Sequence, residues 1–240
     1  MKAPGLAASN EAARIHEVYS RRESAGSADY YSWHREENQF RIYQTSRACI
    51  AALRKYGLFP LAGRKVLDVG CGPGDWLLTF LLWGAKPCDL AGIDVSESRI
   101  AQARLRLPDA SLFAGDARAL PFATGSIDLV TQFTVFTSVL DTGVKRAIAE
   151  EMRRVVRKDG LMLWYDFLYD NPRNPDVRGI GKQELTSLFP GCPMEFRKVT
   201  LAPPLARRTV RVSWAFSLCL EALPLLRTHC LALIRPRTAR

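Results

Sequence analysis

The stretch Val66–Trp76, VLDVGCGPGDW, decides the fold. Val66, Leu67 and Val69 spell a short buried strand. Gly70, Gly72 and Gly74 then remove the side chains where the backbone must turn sharply and press against a ligand. Asp75 and the apolar run from Trp76 to Leu82 follow at once, so the glycines open a helix whose first N–H groups face the turn. Strand, glycine turn and helix in that order describe a nucleotide-type pocket at the carboxyl end of a first parallel strand.

The spacing selects the nucleotide. A pyrophosphate-binding dinucleotide loop reads GxGxxG, whereas Gly70, Gly72 and Gly74 read GxGxG. The tighter loop, with acidic Asp68 inside the strand, suits a ligand carrying an amino acid and a sulfonium. Here the sequence resembles the class I S-adenosylmethionine-dependent methyltransferases, specifically the small-molecule enzymes of the type 11-like group with a VLDVGCGPG signature. The resemblance continues through GIDVS at 92–96, AGDARALPF at 114–122, SIDLV at 126–130 and EEMRRVVRKDG at 150–160. It implies a Rossmann-like α/β fold: a seven-stranded, mostly parallel sheet with helices on both faces and an N-terminal helical cover. Residues 1–60 are expected to form that cover and residues 61–240 the cofactor-binding domain.

Strands are expected at 66–69, 90–93, 112–114, 127–130, 160–167, 195–201 and near 229–234, with helices at 11–22, 36–56, 96–105, 143–156 and 182–188. Asp94 closes the second strand, where a carboxylate can accept both hydroxyls of a ribose. The resemblance carries that role to Asp94, a contact with the adenine amine to Asp116 and a main-chain donor to Ala117. It adds Asp68, Gly70, Cys71, Gly72 and Val95 to the cofactor site, with Gln132 and Phe133 bordering the methionyl part. Tyr31 and Trp33 of the aromatic cluster before the second helix, Phe136, Asn171 and Asn174 are the expected acceptor contacts. Phe136 also reads as a core residue packed between strand and helix. The family cofactor brings its own reactive methyl, so no metal is required. Transfer to oxygen needs a proton acceptor, and His34 and Asp166 are the candidates.

The implied function is methyl transfer from S-adenosylmethionine to a small molecule, foremost O-methylation of a sugar, glycan precursor or secondary metabolite. N-methylation or carboxylate methylation is the neighbouring alternative. The DNPRNPDVRG loop at 170–179 and the LAPPLAR segment at 201–207 are similar to those of methyltransferases of bacterial surface-polysaccharide or natural-product assembly. A nicotinamide dehydrogenase would share the glycine loop and the ribose acid, but the GxGxG spacing and the acid after the third strand oppose it. A non-catalytic nucleotide-binding module is the other reading from outside the enzymes.

Composition bounds the rest. At 240 residues, 48% hydrophobic, the chain suffices for one well-buried α/β domain with a modest addition. Six cysteines stand without a CxxC pair or a histidine at metal spacing, which points to neither a zinc site nor a disulfide framework. With no signal-like apolar segment at the start, a cytoplasmic location is expected. The net charge is +10, yet no aromatic-interleaved basic stripe accompanies it, and no nucleic-acid partner is expected. Residues 201–240 hold seven arginines against one acid, Glu221, a local net charge of +6. Within them the apolar run 212–226 reads first as a core-covering helix. Its alternative is a peripheral membrane contact beside the arginines.

Overall fold

The computed structural model describes residue 11, residues 13–18, residue 21, and residues 34–171 and 174–237. One sheet holds β1 (Val66–Val69), β2 (Leu90–Asp94), β3 (Ser111–Ala114), β4 (Ile127–Phe133), β5 (Val156–Phe167), β6 (Met194–Leu201) and β7 (Arg227–Ile234). Its order is β3-β2-β1-β4-β5-β7-β6. The first five strands are parallel neighbours, and β7 runs antiparallel between β5 and β6. The chain winds outward in one direction from β1 to β3 and in the other from β4, so the crevice of a doubly wound sheet opens above the β1–β4 pair.

Both faces of the sheet are covered, as parallel strands require. On one face, Leu67 and Val69 pack with α5 (Thr142–Val155) through Val144, Ile148 and Met152, and with α6 (Lys182–Leu188) through Leu185 and Leu188. On the other, Val66 packs with α3 (Asp75–Leu82), α4 (Glu97–Arg106) and the second half of α2 (Glu36–Lys55). A short helical stretch at 13–18, α1, lies over the first face: Ile15 touches the core, Arg14 donates to the Ser138 carbonyl, and the Glu11 carboxylate accepts from Leu140 N.

Three segments differ from expectation. β4 and β5 are longer than their apolar runs because the pairing itself carries them on, Phe133 opposite Tyr165 and Ile127 opposite Val156. APPLARR is helical as α7 (Pro203–Thr209): prolines at the first helical positions lack only N–H groups that would have no partner there. The third correction concerns α8 (Trp214–Ala222), read from sequence as a core-covering helix. Its buried residues are Ser217 and Glu221, while Trp214 and Phe216 are exposed.

Candidate active site

A single cavity of about 1490 Å³ runs from the glycine turn across the carboxyl ends of β1, β2 and β4 to the β5–β7–β6 edge. That exceeds the roughly 300–1000 Å³ of a pocket for one small ligand, so it has room for two small molecules side by side.

The first half is a cradle of main chain. Gly70, Gly72 and Gly74 have φ of 70°, 54° and 85°, the left-handed region that glycine enters without strain. A Cβ at Gly70 would collide with the Val135 side chain, so the glycine is required by space as well as by torsion. At the tip of β2, the Asp94 Oδ2 accepts from Gly72 N at 2.8 Å and Oδ1 from Ser96 N at 2.9 Å. Each carboxylate oxygen keeps a lone pair after these bonds, which leaves two acceptors for a vicinal diol. Asp116, after β3, also lines the cavity and pairs with Arg118 at 2.6 Å. Burial raises its pKa, but the hydrogen bonds from the Arg118 side chain and main chain outweigh that and hold it below the usual aspartate value. Cys71, Val95, Ala117 and Phe133 line the same half, and Phe133 stacks on Trp76 at 3.9 Å with 10° between the rings. A narrow main-chain cradle, a diol-accepting carboxylate and an aromatic wall fit an adenosyl amino acid.

The comparisons with known proteins agree. A family model described as a methyltransferase domain matches residues 66–160. Demethylmenaquinone methyltransferase of Bacillus subtilis is 32% identical over 103 residues, 41% of this chain and 43% of that protein. A "Probable S-adenosylmethionine-dependent methyltransferase" of Mycolicibacterium smegmatis is 31% identical over 141 residues, 53% of this chain and 51% of the relative. The chain thus spans about half, or less, of the curated relatives it matches. The crystal structure of Burkholderia thailandensis 1,6-didemethyltoxoflavin-N1-methyltransferase, with bound 1,6-didemethyltoxoflavin and S-adenosylhomocysteine, superposes with a TM-score of 0.66. It is 16% identical, and the match covers 99% of this chain and 94% of that one.

Residues 66–160 form a methyltransferase domain similar to that of S-adenosylmethionine-dependent enzymes. Within that domain the structure redistributes several expected roles. Asp68 is buried inside the sheet, away from the cavity, where its Oδ1 accepts from Thr131 Oγ1 at 2.6 Å and ties β1 to β4 beneath the cradle. Burial pushes its pKa up to about 7, Thr131 opposes, and the nearby Asp94 carboxylate adds to the rise. Gln132 lies on the opposite face of β4 from Phe133, because side chains alternate along a strand. Its Oε1 accepts from Val135 N and Phe136 N at 3.0 and 3.3 Å, which shapes the loop after β4 from below without lining the cavity. Phe136 is a core residue, stacked on Phe189 and fully buried, and not an acceptor contact.

The two candidate proton acceptors are also displaced. His34 sits in an exposed turn before α2 and is not among the residues lining the cavity. Asp166 points to the face of β5 opposite Tyr165 and Phe167, which do line it. Its carboxylate accepts from Thr137 Oγ1 at 2.5 Å and from Thr137 N at 3.1 Å, and burial raises its pKa to about 7 against those bonds. Asp166 therefore positions the Thr137 loop from within. Asn171 and Asn174 do line the cavity, whereas Tyr31 and Trp33 lie outside the described residues.

The second half of the cavity holds residues the sequence did not single out. The inward face of α2 changes character along its length: Glu37, Asn38 and Gln44 are buried toward the cavity, then Cys49, Ala52 and Leu53 toward the core. Gln44 Oε1 accepts from Leu201 N at 3.2 Å, while its buried Nε2 has no partner among the described residues. Arg41, on the same wall, has no carboxylate paired to it among the described residues. Across from it, the Tyr165 hydroxyl lies 2.9 Å from Thr200 Oγ1, and the His229 ring stacks on Tyr165 with centroids 5.2 Å apart. Thr200 has φ of 65°, a strained conformation at the cavity wall. Burial, then the Arg41 charge, lower the His229 pKa to about 3, so its imidazole is neutral at physiological pH.

Proposed function

We propose that this chain transfers a methyl group from S-adenosylmethionine to an oxygen of a small acceptor: a sugar, a glycan precursor or a secondary metabolite. The cradle of Gly70, Gly72 and Asp94 would hold the adenosyl amino acid, with Asp116 and Ala117 at the adenine and Phe133 beside the methionyl arm. The cofactor supplies an electrophilic methyl on a sulfonium sulfur. Arg41, the free Gln44 amide and Asn171 and Asn174 give the acceptor chamber polar donors and acceptors, which favours an oxygen-rich molecule over a hydrocarbon.

One observation carries the reading: a buried histidine, His229, lines the chamber. In the tautomer whose Nδ1–H donates to Thr228 Oγ1, 3.1 Å away, the lone pair of the imidazole is on Nε2. As the acceptor oxygen takes the methyl, its O–H becomes strongly acidic, so even a weak base of fixed position takes the proton. A panel of sugars, glycan precursors and phenolic metabolites, incubated with methyl-labelled cofactor and read by mass spectrometry, tests the activity. On an acceptor so found, His229→Ala is expected to cut turnover about a hundredfold with cofactor affinity retained. Wild-type turnover in that variant removes His229 from the mechanism, and labelling confined to nitrogen replaces the oxygen acceptor.

A further inference from the structure

Helix α8 buries little of its apolar surface. Its two buried residues are the polar pair Ser217 and Glu221, one turn apart: the Ser217 hydroxyl bonds Thr209 Oγ1 at 2.8 Å, and Glu221 pairs with Arg47 at 2.6 Å, while Leu218 and Leu220 are half-buried against the cluster around Phe40. Its outward residues are apolar. Of the nine large hydrophobic side chains that are exposed among the described residues, six cluster in this region: Tyr43, Val212, Trp214, Phe216, Leu223 and Leu225. Leu225 is 92% exposed and Val212 82%. Trp214 lies against Phe40 and Tyr43 of α2, centroids 5.2 and 6.1 Å away, so the patch joins α8 to the helix that walls the acceptor chamber. A patch of this kind on one side of a molecule marks an interaction site.

Charge selects the partner. Arg208 and Arg211 are exposed beside the apolar residues; Arg211 also lies 3.9 Å from the buried Glu37 carboxylate, and from residue 196 to 240 the only acid is Glu221, which is buried and paired. A protein partner of ordinary composition would meet a rim on which exposed cations outnumber exposed acids, whereas an anionic bilayer satisfies both components. Apolar side chains and an indole enter the headgroup boundary while arginines reach lipid phosphates. No helix among the described residues is long and apolar enough to cross a membrane, so the contact is peripheral.

We infer that the α7–α8 face, from Arg208 to Leu225, docks on the surface of an anionic lipid bilayer. Pro204, Arg207 and Arg208 also line the cavity, so docking brings the acceptor chamber to the bilayer. The inference rests on the exposed face and needs no assumption about methyl transfer.

Vesicle flotation of the full chain tests it, with vesicles of phosphatidylcholine alone and of phosphatidylcholine mixed with phosphatidylglycerol. The chain is expected to float with the mixed vesicles only, and raised salt is expected to release it. The double variant Phe216→Ser, Leu225→Ser, whose side chains are exposed and whose melting curve should match wild type, is expected to bind at least about tenfold less. Arg208→Glu with Arg211→Glu should abolish binding. Failure to float with the anionic vesicles overturns the inference. So does a self-associated dimer that the Phe216, Leu225 variant breaks, since the face is then covered by a second copy. Hydrogen exchange that shows the patch protected by residues 22–33 in the free chain overturns it equally.

Discussion

Gly70, Gly72, Asp94 and Asp116, which line one half of the cavity, fall between residues 70 and 116 at the ends of three successive strands. Arg41, Tyr165, Thr200 and His229, which line the other half, are spread between residues 41 and 229 on four different elements. The first half is made of local chemistry: a glycine that must turn, an acid that must follow a strand. The second is made of placement, because nothing near Arg41 or His229 in the chain distinguishes them from other arginines and histidines. The family model ends at residue 160, before most of the second half begins. One half built from local motifs and another built from placement are what an enzyme family of one cofactor and many acceptors requires.

Three experiments bear on that contrast. The largest effect is expected at Phe136, which is fully buried and does not line the cavity. Phe136→Ala should lower the free energy of unfolding by about 3–5 kcal/mol, as for a large core aromatic, read from denaturant melts. A stable variant with a raised acceptor KM would instead return Phe136 to the acceptor wall. Next, Asp94→Ala should weaken S-adenosylhomocysteine binding by about 2 kcal/mol in calorimetry, since the diol loses a charge-assisted partner and Gly72 N loses its acceptor. Unchanged affinity would show that the cradle alone holds the nucleoside.

The last test reads a change with pH and not a single loss: it concerns Asp166 and separates a buried brace from a catalytic base. Burial raises its folded pKa to about 7, so between about pH 4 and 7 the folded state binds more protons than the unfolded one. Stability from this group is therefore fully present at low pH and lost as pH rises through about 7. Asp166→Asn lacks that titration, so its melting temperature relative to wild type should climb steadily across the window. A constant difference would mean that the carboxylate is already ionised in the folded chain.

Much of this was legible in the residues. The order of strands and helices and the glycine turn follow from periodicity and spacing within short windows, and the family resemblance adds Asp94 and Asp116 behind it. The pleat was the first thing to mislead: Asp166 and Gln132 stand at strand ends where ligands bind, yet alternation turns them to the far face, and only their neighbours Tyr165 and Phe133 reach the cavity. The antiparallel strand was the second. A rule that places ligands at carboxyl ends passes over His229, which stands near the amino end of β7 and meets the cavity because β7 runs against β5.

The sequence by itself determined a methyltransferase domain, its strands and helices and its glycine turn, since each depends on residues close in the chain. The tertiary structure alone decided the acceptor chamber and the outward apolar face of α8. Those depend on which distant helix and strand meet, and on which side of each faces inward. Ser217 and Glu221 face inward because their partners, Thr209 and Arg47, stand on the surface beneath them, and Leu218 and Leu220 settle beside them against the cluster around Phe40. Hydrophobicity along the segment does not say which of its apolar residues turn outward; the distant partners decide it.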